Sequence, residues 1–165
     1  MSRKIATKKF TRDERAVSLS VGFMLTLAIT LITTMVLISS FYTMMDRAEH
    51  TVMRDEFEIH GNDISLQISN IDTAIQITNN AGGKVESINY QLILPDTIAN
   101  KQYSVEFSGH PGTKEIIFES EGREESKVKV AYTTNDVNVT PTKLYSGSSD
   151  FVLHYNATSN MLEIY

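Results

Sequence analysis

Hydrophobic and polar positions divide the chain into three stretches. Residues 16–45 read AVSLSVGFMLTLAITLITTMVLISSFYTMM, 30 residues without a charge between Arg15 and Asp46. About 20 apolar residues in a helix cross the hydrocarbon core of a bilayer. The polar members here are mostly Ser and Thr, whose hydroxyls bond back to helix carbonyls and so survive in lipid. The run lacks Pro, and Gly22 is its single glycine. The pattern predicts a membrane-embedded helix. The competing reading, a buried core helix of a soluble protein, fits poorly, because such helices are shorter and carry charge on one face.

The second stretch has a helical period. Met53, Phe57, Ile64, Ile68, Ile71 and Ile75 are spaced 4, 7, 4, 3 and 4 and form one apolar stripe. Asp55, Glu58, Asp63 and Asp72 lie between them as polar positions. The predicted helix therefore continues over 46–76. Gly61-Asn62-Asp63 interrupts the pattern: Gly61 can end one helix and Asn62 or Asp63 can cap another, so a break and a continuous helix both remain open. A continuous helix of about 55–60 residues would be roughly 85 Å long. Such a length needs lipid or neighbouring helices around its first half and a docked domain on its second. A coiled-coil dimer stalk is the alternative use of the stripe.

The third stretch begins after Asn79-Asn80-Ala81-Gly82-Gly83, a strong turn signal. Period-two and β-branched patterns then predict strands at 85–94, 102–108, 115–120, 127–132, 151–155 and 161–165. Val128, Val130 and Tyr132 alternate with Lys127, Lys129 and Ala131, as on a sheet with one wet face. Punctuation falls at Pro95-Asp96, Gly109-His110-Pro111-Gly112, Glu121-Gly122-Arg123 and 156–160. Consecutive strands with short links and no second helix imply one antiparallel sheet packed on the helix stripe. The expected class is α+β: a long N-terminal membrane-spanning helix followed by a C-terminal antiparallel β domain over 77–165.

Charge gives this layout a direction. Net charge is −5, yet the first 16 residues carry six basic side chains against two acidic ones, leaving nine basic and eighteen acidic beyond. A basic flank before a single apolar span predicts a cytoplasmic N-terminus and an external C-terminal domain. An acidic exterior speaks against nucleic-acid binding, which needs a basic face. The absence of cysteine excludes disulfides, lipid attachment through Cys, thiolate metal sites and Cys nucleophiles.

Residues 1–15 are polar, without helical periodicity, and read as a leader. A secretory signal would have a shorter apolar core and a small-residue cleavage pattern after it, but Phe41-Tyr42-Thr43-Met44-Met45-Asp46 follows here. The junction before the apolar run is more telling: Asp13-Glu14-Arg15-Ala16 runs straight into Val17-Ser18-Leu19-Ser20-Val21-Gly22. This resembles the class III signal of archaeal type IV pilins and archaellins, in which charged residues end in a small residue and the apolar segment begins at once. The resemblance implies cleavage after Ala16 by a prepilin peptidase on the cytoplasmic side, a 1–16 leader and a mature chain from Val17. Many members have Gly where Ala16 stands. The Glu that bacterial pilins carry five residues into the mature chain is replaced by Val21, which fits the archaeal branch. The segments from Leu94-Pro95 to Tyr103-Ser104-Val105 and Leu162-Glu163-Ile164-Tyr165 are similar to the tail of an uncharacterised archaeal family of short pilin-like membrane proteins. The implied architecture is the pilin lollipop.

No catalytic constellation is present in the sequence. His50, His60, His110 and His154 are scattered and match no metal-ligand spacing. Glu119, Glu121, Glu124 and Glu125 surround the turn at Gly122 without the 12-residue Ca²⁺-loop pattern, and read as a solvated hairpin tip. Gly82-Gly83 lacks phosphate-loop spacing. Ser146-Gly147-Ser148-Ser149 reads as a flexible link, with no helix after it to make a nucleophile elbow. Two N-x-[ST] sequons start at Asn138 and Asn156, no more than composition would supply by chance. Asn156, on an expected exposed turn, is the better acceptor, because Pro141 follows the other sequon.

The expectation is a non-enzymatic pilin-like surface protein without cofactor or metal. Its partners would be membrane lipid, the prepilin peptidase and other pilin-like subunits, itself or relatives. The helix face Gly22, Leu25, Ile29, Ile32 and Val36 would carry assembly, since small and apolar residues allow close helix approach. The β domain would be displayed for adhesion or protein contacts. The alternatives are a signal-anchored membrane protein whose external domain binds a ligand, with no cleavage and no filament, and an enzyme on a membrane stalk.

Overall fold

The computed structural model describes residues 6–110, 113–122, 126–147 and 151–165. One long helix, α1 (Ala6–Asn80), is followed by eight strands: β1 (Ser87–Leu92), β2 (Tyr103–His110), β3 (Thr113–Ser120), β4 (Lys127–Ala131), β5 (Asn138–Val139), β6 (Thr142–Tyr145), β7 (Phe151–Asn156) and β8 (Met161–Ile164). The class is α+β. The chain forms two compact units, the first ending at Arg47 and the second being Ala48–Tyr165.

Two expectations for α1 differ from what is observed. Residues 6–15 are helical although their sequence shows no amphipathic period, and residues 77–80, assigned above to the β domain, complete the last helical turn. The helix also does not break at Gly61. Gly61 is buried beneath strand β4: a Cβ built there would lie 2.6 Å from Cγ2 of Val130 and 3.2 Å from its Cβ. The glycine that resembles a helix stop is where the helix lies too close to Val130 and Phe118 for a side chain. The true stop is the Asn-Gly-Gly turn. Gly82 takes φ +80°, and the amides of Gly82 and Gly83 donate to the carbonyls of Asn79 and Thr78 at 3.0 and 2.9 Å. This is a Schellman cap, which satisfies carbonyls that the helix end would orphan.

The strands form two four-stranded sheets, ordered β1-β7-β8-β5 and β4-β3-β2-β6, rather than the single sheet expected. The six expected strands are present within a few residues of their predicted ends. β5 and β6 are additional, in a stretch of Asn, Thr and Pro with little apolar alternation. The chain leaves the second sheet at β4, adds β5 to the first, and returns as β6 beside β2. β5 runs parallel to β8, Asn138 opposite Met161, while the other strand pairs among the described residues are antiparallel. β2 and β3 pair up to His110 opposite Thr113, and the expected turn residues Pro111 and Gly112 lie outside the described residues.

The core forms on the predicted helix stripe. Met53, Phe57, Ile64, Ile68, Ile71 and Ile75 are all buried, with Leu92, Val105, Phe107, Ile116, Phe118, Leu153 and Leu162 from the two sheets. Phe57, Tyr103 and Phe118 meet with ring centroids 5.3–6.1 Å apart. The Tyr103 hydroxyl donates to the Pro95 carbonyl at 2.6 Å. Burial, aided by Asp96, pushes its pKa up to about 12. Burial also raises that of Tyr132.

Candidate anchoring and assembly surfaces

In the first unit the most apolar helical window is wholly exposed, which separates it from a soluble core helix. Of the expected assembly face, Leu25, Ile29, Ile32 and Val36 are 56–63 % exposed, and nothing lies within 4 Å of a Cβ built on Gly22. Thr26, Thr30, Thr33, Thr34 and Thr43 each turn their hydroxyl onto the carbonyl four residues back, at 2.8–3.0 Å. These threonines thereby satisfy their hydroxyls within the helix. Of the expected processing junction, Val17 is exposed, and Arg15 and Ala16 are helical, with side chains outside the described residues.

In the second unit His50, His60 and His154 each have a different neighbour, and the side chain of His110 lies outside the described residues. His50 Nδ1 lies 2.8 Å from Ser126 Oγ, His60 sits beside Glu56 at 3.6 Å, and His154 bonds Asn89. Among the described residues no group of three His, Cys, Asp or Glu converges. Glu119 is tied across the sheet to Lys127 and Lys143, while Glu124 and Glu125 lie outside the described residues. Ser146, expected in a flexible link, is buried and accepts the Tyr103 amide at 2.9 Å, whereas Ser148 and Ser149 lie outside the described residues. Asn156 closes β7 with its side chain engaged: Oδ1 accepts the Thr158 amide at 3.0 Å and Nδ2 reaches Glu163 at 3.4 Å. Asn138 is exposed.

Two features escape a reading of the sequence. Asp72, a polar position between stripe residues, is only 4 % exposed. Its carboxylate accepts the backbone amides of Asn135, Asp136 and Val137 at 2.8, 3.0 and 2.9 Å and so fixes the crossing from β4 to β5. Its place between Ile71 and Ile75 on the stripe is the available signal. The second feature is another apolar line on the same helix. Val52, Ile59, Leu66 and Ile77 are 50–63 % exposed and spaced 7, 7 and 11, about two, two and three turns, so they align. At 100° per residue they lie on the side of the helix away from the core stripe.

An open groove of about 610 Å³ runs along one flank of the helix beside the edge strand β4, lined by Thr51, Arg54, Asp55, Glu58, Lys127 and Lys129 among others. Its mixed charges and solvated edge lysines are the usual protection of a strand edge.

Among the described residues one helix is long and apolar enough to cross a membrane, and with the β domain that follows, which has its own core, it fits a membrane-anchored protein with a C-terminal domain. The chain belongs to a family of unknown function (DUF7266), whose model matches residues 12–165 and so takes in both the apolar helix and the β domain. No curated protein and no solved structure matches the chain.

Proposed function

We propose that this chain is a non-enzymatic, pilin-like surface protein, cut after Ala16 by a prepilin peptidase and assembled through its apolar helix into a type IV pilus-like structure. In this reading the N-terminus faces the cytoplasm and the β domain is displayed outside for adhesion or protein contacts. The observation that carries it is the junction Arg15-Ala16-Val17, where charge gives way at once to an uncharged helical segment with exposed side chains. The internal hydroxyl bonding supports it further, because a helix that satisfies its own threonines can pack against lipid or neighbouring helices.

The test is the N-terminal mass of full-length protein recovered from membranes, with and without an archaeal prepilin peptidase. The expected product starts at Val17 and disappears when Ala16→Leu is introduced. A chain starting at Met1 or Ser2 under both conditions overturns the proposal and leaves a signal-anchored binding protein as the better account.

A further inference from the structure

The two N-x-[ST] sequons are alike in sequence and opposite in structure. A transferase that attaches a sugar to the Asn nitrogen also reads the hydroxyl two residues on, so the chain must bend to bring the two together and leave both accessible. Asn138-Val139 is strand β5, and the Thr140 amide donates to the Leu162 carbonyl at 2.9 Å, which holds that sequon extended in the ladder. The Thr140 hydroxyl oxygen is buried and has no hydrogen-bond partner among the described residues. Asn156-Ala157-Thr158 instead leads from β7 into the turn before β8. Here the Thr158 amide donates to Oδ1 of Asn156 at 3.0 Å, an Asx turn that folds the third residue back onto the carboxamide of the first. Thr158, Ser159 and Asn160 are exposed. The far side of the turn is fastened by Asn160, at φ +54°, which accepts the Tyr155 hydroxyl at 3.0 Å and donates to the Asp136 carbonyl at 2.7 Å.

We propose that Asn156 is an N-glycosylation site and Asn138 is not, the folded β domain selecting between them. The fold presents one sequon bent, with its hydroxyl-bearing residue exposed, and withholds the other by locking its backbone and burying its hydroxyl. Nδ2 of Asn156 is engaged by Glu163 at 3.4 Å, a long bond that is readily exchanged. The sugar donor is an oligosaccharide linked to a lipid phosphate. Nδ2 attacks its anomeric carbon and the bond from that carbon to the phosphate oxygen breaks. The lipid phosphate leaves with the electron pair, and one amide proton passes to a base of the transferase. The inference rests on the external placement of the β domain in the reading above, and on no step of cleavage or filament assembly.

The test uses full-length protein made in an archaeal host whose surface proteins carry N-linked sugars. Mass spectrometry of peptides spanning each sequon reads the modification, and protease added to intact cells reports whether the β domain lies outside. The expected result is sugar mass on the Asn156 peptide and none on the Asn138 peptide. That mass should be lost in Asn156→Gln and Thr158→Ala and kept in Thr158→Ser and Asn138→Gln. Thr158 closes the turn with its amide and its side chain is exposed, so Thr158→Ala removes the hydroxyl and keeps the turn. Loss in that variant therefore reads recognition rather than misfolding. Sugar on Asn138 to the same extent as on Asn156 overturns selection by the fold. An unmodified chain whose β domain is digested from outside overturns the proposal and leaves the topology standing. An unmodified chain whose β domain is protected overturns both.

Discussion

Removing the Asp72 carboxylate should unfasten the β4–β5 crossing and destabilise the whole second unit. Three backbone amides depend on it. Val137 is buried, so Asp72→Ala leaves its N–H without a partner, at about 1–3 kcal/mol for an orphaned buried donor. Asn135 and Asp136 are exposed and can turn to water, so their bonds contribute about 1 kcal/mol each. The sum is about 3–5 kcal/mol. For a unit of this size that corresponds to a fall in melting temperature of about 10–20 °C. Asp72→Asn is the sharper probe. It keeps the shape and one acceptor oxygen, but sets an NH₂ group against an N–H donor, and should cost about 2–3 kcal/mol. Glu58→Gln, an exposed carboxylate on the same helix, is the control and should stay within about 0.5 kcal/mol. Circular dichroism melts of the full chain in detergent make the comparison. If Asp72→Ala and Glu58→Gln melt together, the carboxylate is not what holds the crossing, and the argument from its three bonds fails.

Three further outcomes follow from the same core. Gly61→Val should destabilise by about 2–4 kcal/mol in the same melts, because branched atoms meet Val130 where even a Cβ is too close. Gly82→Ala should cost about 1–2 kcal/mol, from the left-handed backbone its cap demands. Tyr103 is held neutral in the fold with its pKa near 12, against 10 when unfolded, so its contribution is whole below pH 10 and is lost as pH rises from 10 through 12. Unfolding free energies from denaturant titrations across that window should fall as pH rises in the wild type and fall by less in Tyr103→Phe.

How much of this is legible in the sequence depends on what each residue type can signal alone. The helix stripe is readable from spacing, because burying one face leaves a 3.6-residue period whatever packs on it. The six longer strands are readable from alternation for the same reason. β5 and β6 are not, since a two-residue strand has no period and Thr142–Tyr145 alternates half-buried with exposed positions, giving a weak signal. Their partners are set by tertiary contacts, the Asp72 carboxylate above all. Gly61 and Asp72 mislead in the same direction: a small residue and an acid in an amphipathic helix suggest a break and a wet face. In this fold each serves the interior, one by what it lacks and the other by the donors brought to it.

The helix beyond Ala48 carries a buried apolar stripe and an exposed apolar line, and their spacings tell them apart. The core stripe steps by three and four as well as seven, which spreads it over the width needed to seat on two sheets. The outer line steps only by seven and eleven, so it stays one residue wide. A sheet would require the wide pattern, and lipid would require apolar residues on the flanks as well, where Asp55 and Asp63 stand instead.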